Sequence, residues 1–489
     1  MRRNLELLDE EIVQRILDEA MDLLATTGVR VLTREALDLL ASSGARVDGD
    51  VARIPAPLAQ RALASAPREF SLYDRRGRAT VRYAGDAVHF DPGSCGVHIL
   101  DPETGEHRSS VASDLVRIVQ VAEMLPEYAA QSTAVICDDV PKDIGDLYRL
   151  FLVLLYSEKP IVTGGFTARG TRTMIAMLAA ESGGPEALRA RPRAVFDVCP
   201  SPPLRWTEFA AQNLIDLARA WVPAQLVSMP LAGATAPVTL LGSLVQHAAE
   251  TISGIVIHQL AQPGAPVVWG GAPAIFDMRA ATTPMGAVET AMLDIGYAQV
   301  GKRLGLPTHA YMGASDAKIV DAQAGLESGV TAVLGALAGI NMISGAGMLD
   351  FLACFSVEKL VVDAEAIRMA LRLLDGIQVR TDRLATDAFA RLGLGCDFLM
   401  LPETRRLFRL EQALPSPVID RGSLGAWQAA GSPDTLARAR ERVRALLAAY
   451  ARPSLAPDAE RELYAIVRSE ARRVGLERLP GTESLGGRG

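Results

Sequence analysis

The sequence predicts an α/β fold: a (β/α)8 TIM barrel with an N-terminal α+β cap region before it and a C-terminal helical extension after it. Three observations predict it. Between residues 111 and 432, short apolar segments of strand length alternate with longer helical patterns. One such unit is explicit in LPTHAYMGASDAKIVDAQAG at 306–325. There Leu-Pro stops a helix, 308–312 is a strand, Gly313 to Lys318 is a small polar turn, and Gln323, Gly325 and Glu327 follow at helical spacing. The chain is also 489 residues long, 49% hydrophobic and 22% charged, so it can bury the core that a barrel requires.

Taken in order, residues 8–27 place Ile12, Ile16, Ala20, Leu23 and Leu24 at a helical period. A second helix is expected at 33–41, ending in the turn SSGARVDGD, and a third at 55–66, opened by Pro55 and Pro57. From 70 to 101 the pattern changes to short β segments, SLYD, ATVRYA, AVHFDPG and GVHILD, with no helices between them. Residues 1–110 are therefore read as the cap. Barrel strands are expected at 130–137, 160–164, 194–199, 224–229, 266–269, 308–312, 339–343 and 397–401. The helical patterns between them are clearest at 208–221, 238–260, 288–304, 322–338 and 358–374. The extension, 433–489, is charged and helical over 434–474, divided by Pro453 and Pro457, and ends in a Gly-rich tail at 481–489 expected to be disordered.

Several function classes have no support. The net charge is −7 and no basic run is interleaved with aromatics, which argues against a nucleic-acid partner. Cys95, Cys137, Cys199, Cys354 and Cys396 are scattered without a CxxC pair, as expected of free thiols in a cytoplasmic protein. Arg2 and Arg3 are followed by Glu6, Asp9, Glu10 and Glu11 rather than an apolar signal region. The longest apolar-rich stretch, 238–260, contains Gln246, His247 and Glu250 and reads as a buried helix, so no membrane partner is expected. The sequence has no Walker A motif, no HExxH and no GxSxG.

In a barrel the residues after each strand converge on one pocket. Here they are rich in Gly, Ala, Pro and Ser, which leaves room for something large to approach the backbone. Aromatics make up only 5% of the chain, yet Trp206, Trp269, Phe276, Tyr311 and Phe355 fall near strand ends, with Phe90 in VHFDPGSCG of the cap. Aromatic faces attract a quaternary ammonium, although packing alone also places aromatics there. His309 shares a strand face with Tyr311 and suits either a substrate carboxylate or a core hydrogen bond. Asp316, after Ala314 and Ser315, could offset an ammonium charge or cap the next helix. Asp277 in IFDMR and Glu358 in FSVEK are further rim acids, with capping or an ion pair to Arg279 or Lys359 as the structural alternative. With no internal nucleophile in view, the pattern suits an enzyme that positions a substrate for an external one.

Four stretches, LAGATAPVTLLGSLVQHAAE, PGAPVVWGGAPAIFDMR, SDAKIVDAQAG and GAGMLDFLACFSVEKLVVD, carry a resemblance that runs along almost the whole chain. The chain resembles the trimethylamine:corrinoid methyltransferase family. In that family's founding enzymes pyrrolysine stands just before Ser-Asp-Ala-Lys, where this chain has Ala314. The resemblance is to the branch without pyrrolysine, associated with quaternary amines such as glycine betaine. It implies transfer of an N-methyl group from a small quaternary amine to the cobalt of a separate corrinoid protein. The cob(I)alamin and methylcobalamin would belong to that partner, since the chain lacks D-x-H-x-x-G, and no tightly bound cofactor or metal is expected. Under this reading Asp316, Ser315, Ala314 and Glu358 are the catalytic candidates, and Phe90, Trp206, Trp269, Asp277, His309, Tyr311 and Phe355 bind substrate. The rival readings are a lyase or isomerase of a small carboxylate using Asp316, His309 and Glu358, and a non-catalytic betaine-binding homologue. A homo-oligomer is left open.

Overall fold

The computed structural model describes residues 5–394 and 397–483, so Cys396 lies outside the described residues. Eight short strands run parallel: β1 His89–Pro92, β2 Gln131–Ser132, β3 Ile161–Thr163, β4 Ala194–Val198, β5 Ala224–Ser228, β6 Val267–Gly271, β7 His309–Tyr311 and β8 Met342–Ala346. A helix follows each: α1 Ala112–Glu123, α2 Gly145–Tyr156, α3 Ala168–Ser182, α4 Glu208–Ala220, α5 Leu240–Ala261, α6 Val288–Arg303, α7 Ala322–Leu337 and α8 Val357–Asp375. The strands pair in two arcs, β2-β3-β4-β5-β6 and β7-β8-β1. At one seam a single parallel bridge joins Trp269 to Thr308. At the other, the Ala129 N–H donates to the Phe90 carbonyl at 2.9 Å. The architecture is barrel-like, and its ladder is interrupted at both seams.

The strand count expected from sequence holds, but one strand is in a different place. The segment expected as the last strand, 397–401, is a 3-10 turn over Phe398–Met400. The missing strand is β1, upstream of residue 110 and within the segment read as cap; it pairs with β8 through Phe90 and Ile343. The segment is read as β from sequence, in AVHFDPG, and only its place in the barrel is new. β1 has only four residues, and it carries an acid, Asp91, on an inward position. Two further strands, His98–Leu100 and His107–Ser109, come between it and α1, so no strand–helix alternation marks it as part of the barrel. The strand expected at 339–343 also shifts forward, to Met342–Ala346.

The hairpin formed by Phe70–Tyr73 and Ala79–Tyr83 closes the N-terminal end of the barrel. Its Leu72, Val81 and Tyr83 pack in one cluster with Val162, Val195, Val268 and Met342, the inward residues at the starts of four strands. The helices Glu10–Thr26, Arg34–Ser42 and Ala56–Ser65 pack on α5. That 22-residue helix is apolar and long enough to cross a membrane, but it is mostly buried inside the fold. Thr435–Ala449 covers α8 and α1, and Pro457–Arg473 covers α3 and α2. The tail is held as far as it is described: Tyr148 Oη donates to the Pro480 carbonyl at 2.8 Å and Tyr156 Oη to Gly481 at 2.7 Å. The rest of the stretch expected to be disordered, 484–489, lies outside the described residues.

Candidate active site

Strand alternation sorts the candidate residues into two faces. On β7, His309 and Tyr311 point into the barrel, where they bond Ser344 and Asp197. Trp269 on β6 points outward: its indole N–H donates to the Tyr297 carbonyl at 2.9 Å, and a Cβ on Gly301 of α6 would lie 2.6 Å from the ring. Trp206 is equally buried and donates to Ser253 Oγ of α5 at 2.9 Å. Phe90 packs in the large core between strands and helices, not in the clusters inside the barrel. Phe355 lies over the backbone of Gly347, where a Cβ would come within 2.4 Å of its ring. Of the five aromatics named as substrate-binding candidates, the structure brings only Tyr311 to the barrel interior.

Beneath Tyr311 lies a polar layer that the sequence reading missed. The Tyr311 hydroxyl donates to Asp197 Oδ2 at 2.8 Å and lies 2.9 Å from Ser94 Oγ. Asp197 Oδ1 accepts from Gln225 Nε2 at 2.6 Å, and Gln225 Oε1 accepts from Tyr83 Oη at 3.2 Å. Beside this chain, Ser344 Oγ donates to Asp91 Oδ1 at 2.6 Å and lies 3.0 Å from His309 Nε2. Burial pushes Asp197 up to about 6, against the lowering effect of its bonds to Tyr311 and Gln225. Burial also raises Asp91 well above the usual carboxylate range, against the lowering bond from Ser344 and with the Asp197 charge adding to it. The same burial takes His309 down to about 3, so its ring is neutral. The only sequence signal for this layer was the presence of Asp91, Asp197, Gln225 and Ser344 within strands, where a core position favours apolar residues.

The rim after β7 is built on Glu327 of α7. Its Oε2 accepts from Ser315 Oγ at 2.6 Å and from the Asp316 N–H at 2.8 Å. Asp316 does not cap the next helix. Its two oxygens accept from the backbone N–H groups of Met285 (2.8 Å) and Gly286 (3.0 Å), tying the loop after β6 to the loop after β7. The α7 cap is Asp321. Ala314 is buried and packs in the same large core as Phe90, and the Ser315 N–H bonds the Met348 carbonyl at 3.1 Å. Asp277 is held in its own turn by Arg279, whose guanidinium lies at 2.8 Å. Glu358 is buried in the first turn of α8 and bonds the capping Ser356 at 3.2 Å. Neither joins the group around Tyr311.

Many rim glycines are required by the fold itself. A Cβ at Gly93 would lie 2.1 Å from Met348, at Gly271 2.5 Å from His247, and at Gly345 2.4 Å from the Met312 carbonyl. The mouth above Tyr311 is instead walled by Val227, Ala272, Ala274 and Met285, with Cys199 and Leu352 packed against them. Asp350, Phe351 and Leu352 are three consecutive residues with φ between 50° and 67°, a strained left-handed turn set at this mouth. Two surface clefts of about 470 and 500 Å3 open near Gly85 and Gly305, by the N-terminal ends of the strands and away from this group.

A barrel-like α/β enzyme with a closed floor and an apolar mouth at the strand ends is the class that this geometry defines. The trimethylamine methyltransferase (MTTB) family model matches residues 1–475, and the chain belongs to that family. It is 32% identical to the trimethylamine methyltransferase MttB of Desulfitobacterium hafniense (strain DSM 10664 / DCB-2), over 96% of this chain and 95% of the relative. It is 28% identical to a glycine betaine methyltransferase of Desulfitobacterium hafniense (strain Y51), over 96% of this chain and 98% of the relative. Among solved structures, the monomethylamine methyltransferase MtmB of Methanosarcina barkeri superposes with a TM-score of 0.52 at 12% identity, covering 91% of this chain and 89% of that one, a likeness of fold.

Proposed function

We propose that this methyltransferase moves an N-methyl group from a betaine-type quaternary amine to the cobalt of a separate corrinoid protein. The observation that carries the reading is Ala314, which stands where the founding trimethylamine enzymes of the family carry pyrrolysine, on a small buried turn three residues after Tyr311. A quaternary ammonium needs no residue to activate it. When its C–N bond breaks, the electron pair stays on nitrogen and a neutral tertiary amine leaves. The protein then has to orient the substrate and exclude water. Tyr311 offers a ring face to the cation, and the apolar walls keep the mouth dry.

The rim suits a large apolar partner. Val97, Phe166, Met229, Met278 and Ile319 lie in loops that follow strands and are between 39% and 66% exposed. The corrinoid, when docked there, supplies the nucleophile that accepts the methyl group. The test is methyl transfer to free cob(I)alamin with a panel of betaines and with trimethylamine. Transfer from a betaine and none from trimethylamine is the expected result. No transfer from any betaine, or transfer from trimethylamine alone, overturns it.

A further inference from the structure

We propose that Arg149 anchors the carboxylate of the substrate, so that the site takes a carboxylate-bearing quaternary amine in preference to a simple ammonium. The proposal rests on the reading above for the reacting methyl group, and on independent geometry for the carboxylate. Arg149 belongs to α2 and is fully buried. Its Nη1 donates to the Thr133 carbonyl at 2.9 Å and to Cys95 Sγ at 3.5 Å. These residues lie just past β2 and β1, so the guanidinium reaches the C-terminal end of the barrel. Cys95 follows Ser94, whose hydroxyl is 2.9 Å from Tyr311 Oη. The guanidinium is therefore a near neighbour of the ring assigned to the ammonium.

The other two nitrogens, Nε and Nη2, are buried and meet no acceptor among the described residues. They are the two donors along one edge of the guanidinium, the parallel pair that matches both oxygens of a carboxylate. An arginine stays charged, and a buried charge without a partner is costly, so an anion is the expected occupant. The fold shows how it treats a structural buried arginine elsewhere. Arg193 places Nε and Nη2 on the two oxygens of Glu181 at 2.9 and 3.1 Å. Among the described residues, the same edge of Arg149 meets no acceptor. His309, the sequence candidate for this task, is held neutral by burial and already bonds Ser344.

Access requires one side chain to give. The Phe166 ring covers the guanidinium, with its centroid 4.7 Å from Cζ, and this residue is 40% exposed. Its backbone N–H is fixed to Asp146 Oδ2 at 2.8 Å, so the ring can turn away without moving the loop. A zwitterion would then span the site, with the ammonium against Tyr311 and the carboxylate on Arg149.

The experiment is titration calorimetry of glycine betaine, choline and tetramethylammonium against the wild type, Arg149→Gln and Arg149→Lys. Wild type is expected to bind glycine betaine at least about 30-fold more tightly than the two ligands without a carboxylate. Arg149→Gln should erase that preference and leave tetramethylammonium within about threefold of wild type, while Arg149→Lys, which keeps charge but loses the fork, should restore part of it. Wild-type binding with no preference for the carboxylate, or no binding of any of the three, overturns the proposal even if the variants fail to fold. A folded Arg149→Gln that weakens all three ligands alike also overturns it, because a structural role would do that. Carboxylate-selective binding without methyl transfer would remove the methyltransfer reading and keep Arg149. Betaine demethylation undisturbed in Arg149→Gln would do the reverse.

Discussion

The Tyr311 hydroxyl donates a 2.8 Å hydrogen bond to Asp197 Oδ2, and this one bond joins the apolar mouth to the polar floor of the barrel. Above it the ring lies among Val227, Ala272 and Met285; below it Asp197 passes the connection through Gln225 to Tyr83 on the hairpin plug. The orientation of the ring at the mouth is thus set by residues from three separate parts of the chain.

That arrangement gives stability a pH signature. Burial raises Asp197 from its ordinary range to about 6, so the folded state holds a proton that the unfolded chain releases near 4. A carboxyl raised on folding favours the fold fully below the unfolded value, and the benefit is lost as pH rises to the folded one. Relative to Asp197→Asn, wild-type stability should fall between about pH 4 and 6, by up to about 3 kcal/mol, and level off above. Urea unfolding of both proteins across that range checks it; a relative gain for wild type as pH rises would contradict it.

Asp316 gives a prediction about loops. Replacing it with Ala frees the buried N–H of Met285 and the N–H of Gly286 that its carboxylate now accepts. Each is a bond to a charged group, so the variant should lose about 2–4 kcal/mol, with the loss concentrated in residues 272–287. Hydrogen exchange should show faster amide exchange there and little change at the hairpin plug. Uniform exchange along the chain would mean that Asp316 does not hold this loop.

The sequence carried the helices well because their apolar period is long and regular, as at 288–304 and 322–338, where the structure has Val288–Arg303 and Ala322–Leu337. It carried six of the barrel strands to within three residues at each end, while the stretch expected at 130–137 is a strand only at Gln131–Ser132. It read β1 as a β segment of the cap, in AVHFDPG, and missed its place in the barrel because two more short strands, not a helix, come directly after it. The site was harder to read for a related reason. Which face of a strand a residue occupies depends on registration with its neighbours, and a one-residue difference separates inward Tyr311 from outward Trp269. Arg149 was invisible because it reaches the mouth from a helix, not from the end of a strand.

Ala314 tests the room available for a methyl group. It is 2% exposed, and Ser315 beside it is tied to Met348 and Glu327. Ala314→Leu should cost about 1–3 kcal/mol through overpacking and should abolish methyl transfer, whereas Ala314→Gly keeps the space and should retain transfer. Comparing transfer rates at a temperature where both variants remain folded separates blockage from unfolding. Transfer by Ala314→Leu at the wild-type rate would place the reacting methyl group elsewhere.

The last prediction sets Tyr311 against Trp269. Both are aromatic and lie near strand ends, so both were candidates for a cation cage, but only Tyr311 faces the mouth. Trp269 is fully buried against α6 with its indole N–H on Tyr297, so Trp269→Leu leaves a cavity and removes that hydrogen bond. It should cost about 3–5 kcal/mol of stability and leave the preference for a betaine over its uncharged carbon isostere unchanged. Tyr311→Leu removes a π face that a desolvated cation would contact, worth about 2 kcal/mol, so the preference for the charged ligand should fall roughly thirtyfold. Tyr311→Phe separates the two parts of that residue's role, because it keeps the face and loses the bond to Asp197. Its charged-ligand preference should stay near wild type while Asp197, without its strongest donor, titrates still higher. Binding of the charged and uncharged pair to all four proteins, each checked for folding by thermal melting, decides the matter. Equal loss of preference in Trp269→Leu and Tyr311→Leu would show that the cation is not held by the Tyr311 face, since a residue walled off behind a strand can affect both ligands only alike.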